Sequence, residues 1–341
     1  MKTFVGIDYH KSYSYGTILD PRGQVLRRGR LDNNPEALAE FLGEHAGEGC
    51  HAVLEATRNW TLMHDWLEEQ VAQVTLAHPK KVRAIAEARI KTDKIDAATL
   101  AHLLRCDLIP AAHVSSKDAR VLKNLLRHRM FLVALRTMVK NRIGVLLDRH
   151  PQFLATRPEG ESFGRIHRAW LKQLRLPLDE RRVLHNELAL LEQLSKRIGQ
   201  AEGWIDRMAE KDVRVRRLMT MPGIGQFLAM LVVAEIDDVT RFATPQKLHA
   251  YAGLVPSTHS SGGKTYNGGI GKEGNRYLRW AMVEAVWPAR RSDISIGRFF
   301  DQHQAKIGTN KAKVATARRL LTIAYRLLKE GREYREERAN E

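Results

Sequence analysis

The 341-residue sequence predicts an α/β unit followed by a largely α-helical remainder, on three observations. Up to about residue 113, short apolar runs closed by turn residues alternate with stretches of helical spacing. Beyond it, apolar residues recur almost throughout at helical spacing. The charge divides at the same place: residues 1–113 carry 14 basic and 15 acidic residues, whereas residues 114–341 carry 42 and 24. A net charge of +17 and a pI near 10.0 point to a polyanionic partner, and the imbalance lies wholly in the second part.

The elements follow in order. Residues 3–8 (TFVGID), 13–20 and 23–30 read as three antiparallel strands, the last two joined through Asp20-Pro21-Arg22-Gly23, a strong turn signal. Pro35 in the first turn starts a helix over 34–46. Then come a strand over 51–56, a helix over 60–70, a strand over 71–77 and helical stretches near 79–89 and 93–106. The order βββαβαβα is that of the ribonuclease H-like fold, in residues 1–113. A basic helical region fills 114–212, with long helices near 116–149 and 179–211. The second has a stripe of Leu184, Leu188, Leu191, Ile198 and Ile205, suited to a helical hairpin or to a dimerising coiled coil. Residues 150–180 hold no motif and read as an insertion.

A further unit spans 213–330. In it, Pro222-Gly223-Ile224-Gly225 sits between two amphipathic helices, like a helix-hairpin-helix whose Gly223 and Gly225 let a phosphate approach the backbone. Turn chemistry alone also explains the tetrapeptide. Residues 257–275, with six glycines, read as a mobile loop. Helices are expected at 275–289 and about 311–330, the second bearing Lys311, Lys313, Arg318, Arg319 and Arg326. The charged tail 331–341 is expected to fray.

Four carboxylates carry the chemistry. Asp8 and Glu55 close strands, while Asp93 and Asp96, three apart in KTDKIDA, share one helix face. Four acids converging on one pocket need cations, and oxygen ligands of this kind suit two Mg²⁺ ions about 3.5–4 Å apart in phosphoryl transfer. His10 reads as a pocket-wall or surface residue rather than a ligand. Cys50 and Cys106 have no metal-binding or disulfide spacing. No run approaches the ~20 apolar residues of a membrane span, and the first residues lack a signal-peptide core. A cytoplasmic protein is expected.

The motifs GID (6–8), LEAT (54–57), KTDKIDA (91–97), MPGIG (221–225), YAGLVPSTHSSGGK (251–264) and GNRYLRWAM (274–282) appear in order along nearly the whole chain. With these the chain resembles the DEDD-type insertion-sequence transposases, the bridge-RNA-guided or seek-RNA-guided recombinases. The resemblance implies a RuvC-like domain with the tetrad Asp8, Glu55, Asp93 and Asp96, and a transposase domain whose nucleophilic serine matches Ser261. It also implies target and donor DNA, an element-encoded guide RNA and a tetramer built from dimers. Ser260 adjoins Ser261, and the sequence leaves open which attacks. Lys264, Lys272, Arg276 and Arg279 stand where nucleic-acid backbone would pass.

Rival readings are a RuvC-like metal-dependent nuclease or junction resolvase that uses water, and a non-catalytic RNA- or DNA-binding protein. An actin-like sugar kinase also opens on a strand ending in Gly-Ile-Asp, but it leaves the basic second part unexplained.

Overall fold

The computed structural model describes residues 2–57, 59–86, 92–261, 264–271 and 273–335. The chain divides into two compact units, Met1–Val114 and Ser115–Glu341.

The first unit runs β1 (Thr3–Tyr9), β2 (Tyr13–Leu19), β3 (Val25–Asp32), α1 (Pro35–Leu42), β4 (Gly47–Glu55), α2 (Trp60–Glu68), β5 (Val71–Ala77), α3 (Pro79–Ile85) and α4 (Asp93–Arg105). Its five-stranded sheet has the order β3-β2-β1-β4-β5. The β1–β2 and β2–β3 pairs are antiparallel, β1–β4 and β4–β5 parallel. This mixed sheet is compatible with a ribonuclease H-like domain. Alternation along the central strands sorts residues to two faces. Val5, Ile7, Ala52 and Leu54 join Leu38, Phe41, Met63 and Leu67 of α1 and α2 in one core cluster. On the other face Phe4 packs with Ala101, and Val53 with Leu100 and Leu103, all from α4. Both faces are covered, so the strands read as unbroken apolar runs.

The second unit opens with α5 (Lys117–Asp148), α6 (Arg165–Gln173) and α7 (Leu178–Ala209). The salt bridges Arg142–Glu187 and Arg129–Glu202 step in opposite directions along α5 and α7, so the two form an antiparallel hairpin. Leu184, Leu188, Leu191 and Ile198 of the α7 stripe cluster with Leu132, Val139, Ile143 and Leu146 of α5, and Ile205 shares a core cluster with Leu122 and Leu126, so the stripe packs as an intrachain seam. Leu171, Leu174 and Leu176 from 150–180 complete that cluster.

Next come α8 (Val213–Met219), α9 (Gln226–Ile236), α10 (Pro245–Ala252), β6 (Pro256–Ser261), β7 (Lys264–Ile270), α11 (Arg276–Ser292), α12 (Ile294–Ile307) and α13 (Thr309–Glu330). Residues Ala229–Ile236 of α9 are all buried, as befits a central helix that is apolar on every side.

Three expectations need correction. The supposed loop at 257–275 contains an antiparallel hairpin, β6–β7, whose pair Ser261↔Lys264 leaves only Gly262 and Gly263, outside the described residues, between the strands. Its start is rich in serine and threonine with no apolar alternation, so nothing in the pattern announced a strand. The tail does not fray from residue 331. Tyr334 packs against the core, its backbone N–H donates to Thr220 Oγ1 (2.9 Å) and its hydroxyl to Asp293 Oδ2 (2.6 Å). Helix α11 continues through Pro288 to Ser292, and α12 follows after one residue. Residues 336–341, and 87–91 before α4, lie outside the described residues.

Candidate active site

In the first unit, Asp8 shares a sheet face with Gly6, two residues earlier, and α4 lies on that face. Gly6 permits this. A Cβ there would stand 2.1 Å from the Ala97 carbonyl oxygen and 2.7 Å from the Ala101 nitrogen, so only glycine lets α4 rest directly on β1. The first turn of the helix thereby meets the end of the strand. Thr92 is the N-cap, its hydroxyl accepting from the Ile95 N–H (3.3 Å), which frees the Asp93 carboxylate from capping. Asp93 and Asp96 in the first turn also suit the helix dipole.

Asp8, His10 and Asp93 each bring one donor atom into a group whose members all lie within 4.8 Å of one another. His10 Nε2 is 3.1 Å from Asp8 Oδ2 and 3.3 Å from Asp93 Oδ1. The Tyr13 hydroxyl donates to Asp93 Oδ2 at 2.8 Å. Glu55 and Asp96 stand outside this tight group. Glu55 closes β4 one residue beyond the parallel pair Ile7↔Leu54, level with Asp8 on the adjacent strand and on the same face as Val53. Asp96 lies near enough to Asp8 to act on its charge.

Burial pushes the Asp8 carboxyl above its ordinary value; His10 pulls it down, and the negative charges of Asp96 and Asp93 add to the rise. Asp93 is held below its ordinary value, chiefly by the Tyr13 hydrogen bond. Among the described residues no lysine or arginine pairs with Asp8, Asp93 or Asp96. Two carboxylates and an imidazole so disposed, with their charge unbalanced, fit a divalent cation.

Sequence reasoning passed over Tyr13 and left His10 as a pocket-wall or surface residue rather than a ligand; here its ring lies between Asp8 and Asp93. The antiparallel turn from β1 to β2 returns Tyr13 toward the site, and a Tyr three positions past a His that follows the first strand was the available signal.

In the second unit, the backbones of Ser261 and Lys264 pair at the end of the hairpin, while Lys272 lies outside the described residues. Gly253 (φ +67°) and Gly274 close the hairpin's base back to back: a Cβ on Gly274 would stand 2.2 Å from the Gly253 nitrogen. The Asn275 N–H donates to Tyr251 O (2.7 Å). The Asn275 side chain caps α11 and also donates to Glu235 Oε2 (2.8 Å). Glu235, fully buried, takes a bidentate hydrogen bond from Arg127. Arg279 donates to the Ala252 carbonyl (3.2 Å) and thus braces this base. Arg276 is exposed and donates to its neighbour Tyr277.

Gly223 (φ +76°) packs against α11, where a Cβ would stand 2.4 Å from Ala285 O. Its glycine requirement is met by helix packing. Gly225 is the exposed N-cap of α9 and has no side-chain cap. Among the described residues no helix is long and apolar enough to cross a membrane.

A family model for DEDD transposases of the IS110 type matches residues 5–151, and one described as Transposase IS116/IS110/IS902 family matches 215–301. The chain is 28% identical over 246 residues to a putative transposase of Sinorhizobium fredii, covering 70% of this chain and 58% of that protein. It is 25% identical over 340 residues to the transposase for insertion sequence element IS1328 of Yersinia enterocolitica, covering 96% and 97%. Against the pilin gene-inverting protein of Moraxella lacunata it is 27% identical over 351 residues, covering 98% of each. With one model matching the carboxylate-bearing sheet and the other the helical core, the chain belongs to the IS116/IS110/IS902 family of transposases.

Proposed function

We propose that this transposase carries out Mg²⁺-dependent, RNA-guided DNA strand exchange through a covalent phosphoserine. The observation that supports it most is the group formed by Asp8, His10 and Asp93, whose donor atoms all lie within 4.8 Å of one another, with Asp96 near enough to act on the Asp8 charge. Asp8, Glu55, Asp93 and Asp96 would hold two Mg²⁺ ions, which when bound stabilise charge on the attacking and leaving oxygens. His10 and Tyr13 orient the Asp8 and Asp93 carboxylates. Ser261 Oγ bonds to the DNA phosphorus as a bridging P–O bond breaks, and the serine proton passes to the departing strand's oxygen. The Gly225 end of α9, Lys264, Lys272, Arg276 and Arg279 would contact backbone phosphates, Arg279 while bracing the hairpin. Target DNA, donor DNA, the element's own RNA and four copies of the chain complete the working assembly.

The test is strand transfer with purified protein, DNA and the element's RNA. Asp8→Ala and Asp96→Ala abolish transfer and leave RNA binding intact. Ser261→Ala removes a denaturation-resistant protein–DNA adduct that Ser260→Ala retains. Recombination by either aspartate variant refutes the metal site, and cleavage by Ser261→Ala without an adduct favours a water-using nuclease.

A further inference from the structure

A cavity of about 520 Å³ opens in the second unit among α10, α12, α13 and the residues after α13. Arg318, Arg319 and Arg326 reach it from α13, and Arg332 and Arg335 from the following segment. Among the described residues no aspartate or glutamate lines it. Arg318 and Arg326 lie eight apart with Thr322 between them, one face of the helix, while Leu320, Leu321 and Ala324 take the opposite face into the core.

Among the described residues little neutralises this charge. Arg319 donates to Ser295 Oγ (2.8 Å) and Arg332 pairs with Glu330, but Arg318, Arg326 and Arg335 have no ion pair among the described residues. Like charges gathered round a concave surface repel unless an anion enters, and concavity focuses their field. The guanidinium fork matches phosphate oxygens two at a time.

One wall is aromatic. The rings of Phe299 and His303 lie 4.0 Å apart at 32°, with Arg319 over Phe299 at 4.9 Å. Such a wall offers a stacking face to an unpaired base, which a duplex would hide. The volume falls within the roughly 300–1,000 Å³ of small-ligand sites, more room than a lone phosphate fills.

We infer that this cavity binds one nucleotide of an unpaired nucleic-acid strand, its phosphate on Arg318, Arg326 and Arg335 and its base against Phe299 and His303. The inference rests on the proposed reading of the chain as a nucleic-acid recombinase, and it adds where a single strand is held. Neither the carboxylates nor Ser261 belongs to this site.

The experiment measures binding of the full-length chain to a short labelled single-stranded DNA, an RNA of the same sequence and the corresponding DNA duplex, across a salt series. Arg318→Ala/Arg326→Ala is expected to weaken single-strand binding about tenfold or more, and to lower the slope of log affinity against log salt by up to about 0.7, one phosphate's worth. The duplex is expected to lose less. Arg181→Ala/Arg182→Ala, exposed on α7, is the control. Loss with one strand type alone assigns the cavity to DNA or to RNA. Should the alanine pair not fold, Arg318→Lys/Arg326→Lys decides: affinity falls for want of the forked donors while the salt slope holds. Single-strand affinity unchanged, or reduced no more than in the control, overturns the site. A wild-type chain that binds neither strand overturns the recombinase reading as well.

Discussion

The two units place carboxylates in opposite ways. Glu235 lies wholly buried in the helical unit, yet Arg127 grips it with a bidentate hydrogen bond and Asn275 donates to it. Asp8 and Asp93 in the α/β unit are only partly buried and have neutral donors or a histidine for company, and Asp8 is pushed above its ordinary value. The first arrangement carries its own cation and serves the fold. The second has no lysine or arginine partner among the described residues, and on the proposed function it takes its cation from solution. Satisfaction, more than burial, separates a structural acid from a functional one.

The comparison can be broken first at Glu235. Arg127→Met leaves a buried carboxylate without its cation and is expected to cost about 3 kcal/mol in urea unfolding; Glu235→Gln added to it should recover part of the loss. An Arg127→Met chain as stable as the wild type would remove the structural half of the contrast.

The next effect is on the site itself. Gly6→Ala drives a Cβ against the α4 backbone, so the helix carrying Asp93 and Asp96 must shift by a substantial fraction of an ångström. Strand transfer should fall about 100-fold, as for a misplacement of that order.

A cation sharpens the contrast more gently. Mg²⁺ at a hundredfold excess over its dissociation constant should stabilise the chain by about 2.7 kcal/mol, read as a rise in melting temperature. Chelator reverses it. Asp8→Asn should abolish that rise, and without Mg²⁺ should melt no lower than the wild type, because it removes a carboxylate that burial disfavours.

The smallest expected effect is on pH dependence. His167 and His249 are buried, and burial first, then Arg157 and Arg318 respectively, lowers their pKa below the ordinary 6.5. The unfolded chain therefore takes up protons first as the pH falls through 6.5. Stability should decline from there down to the folded pKa values, with no contribution from these groups well above 6.5. His249→Gln should flatten the acid limb of the melting curve.

Much of the α/β unit was legible because its signals are local. Strand ends carry Asp8 and Glu55 directly after apolar residues, Pro35 opens a helix, and a tight turn joins the second and third strands; that β4 pairs with β1 was not legible. The second unit was read less well. Helix α10 announces itself with Thr244-Pro245 but is only eight residues long, and α12 follows α11 without a loop to mark it. Pro288 argues for a helix end, yet α11 runs past it to Ser292.

By itself the sequence determined the alternation that sends Asp8 and Val53 to one face and Ile7 and Leu54 to the other, the charge of the second part and the arginine row of α13. Each depends only on the repeat of a strand or helix, which neighbouring residues set. The tertiary structure alone decided that His10 and Tyr13 meet Asp93, that Arg127 answers Glu235 across 108 positions, and that Gly6 and Gly223 each lie under an alanine pair of a distant helix. Such partners are chosen by how close two backbones come, and a glycine in sequence does not say which helix will lie against it.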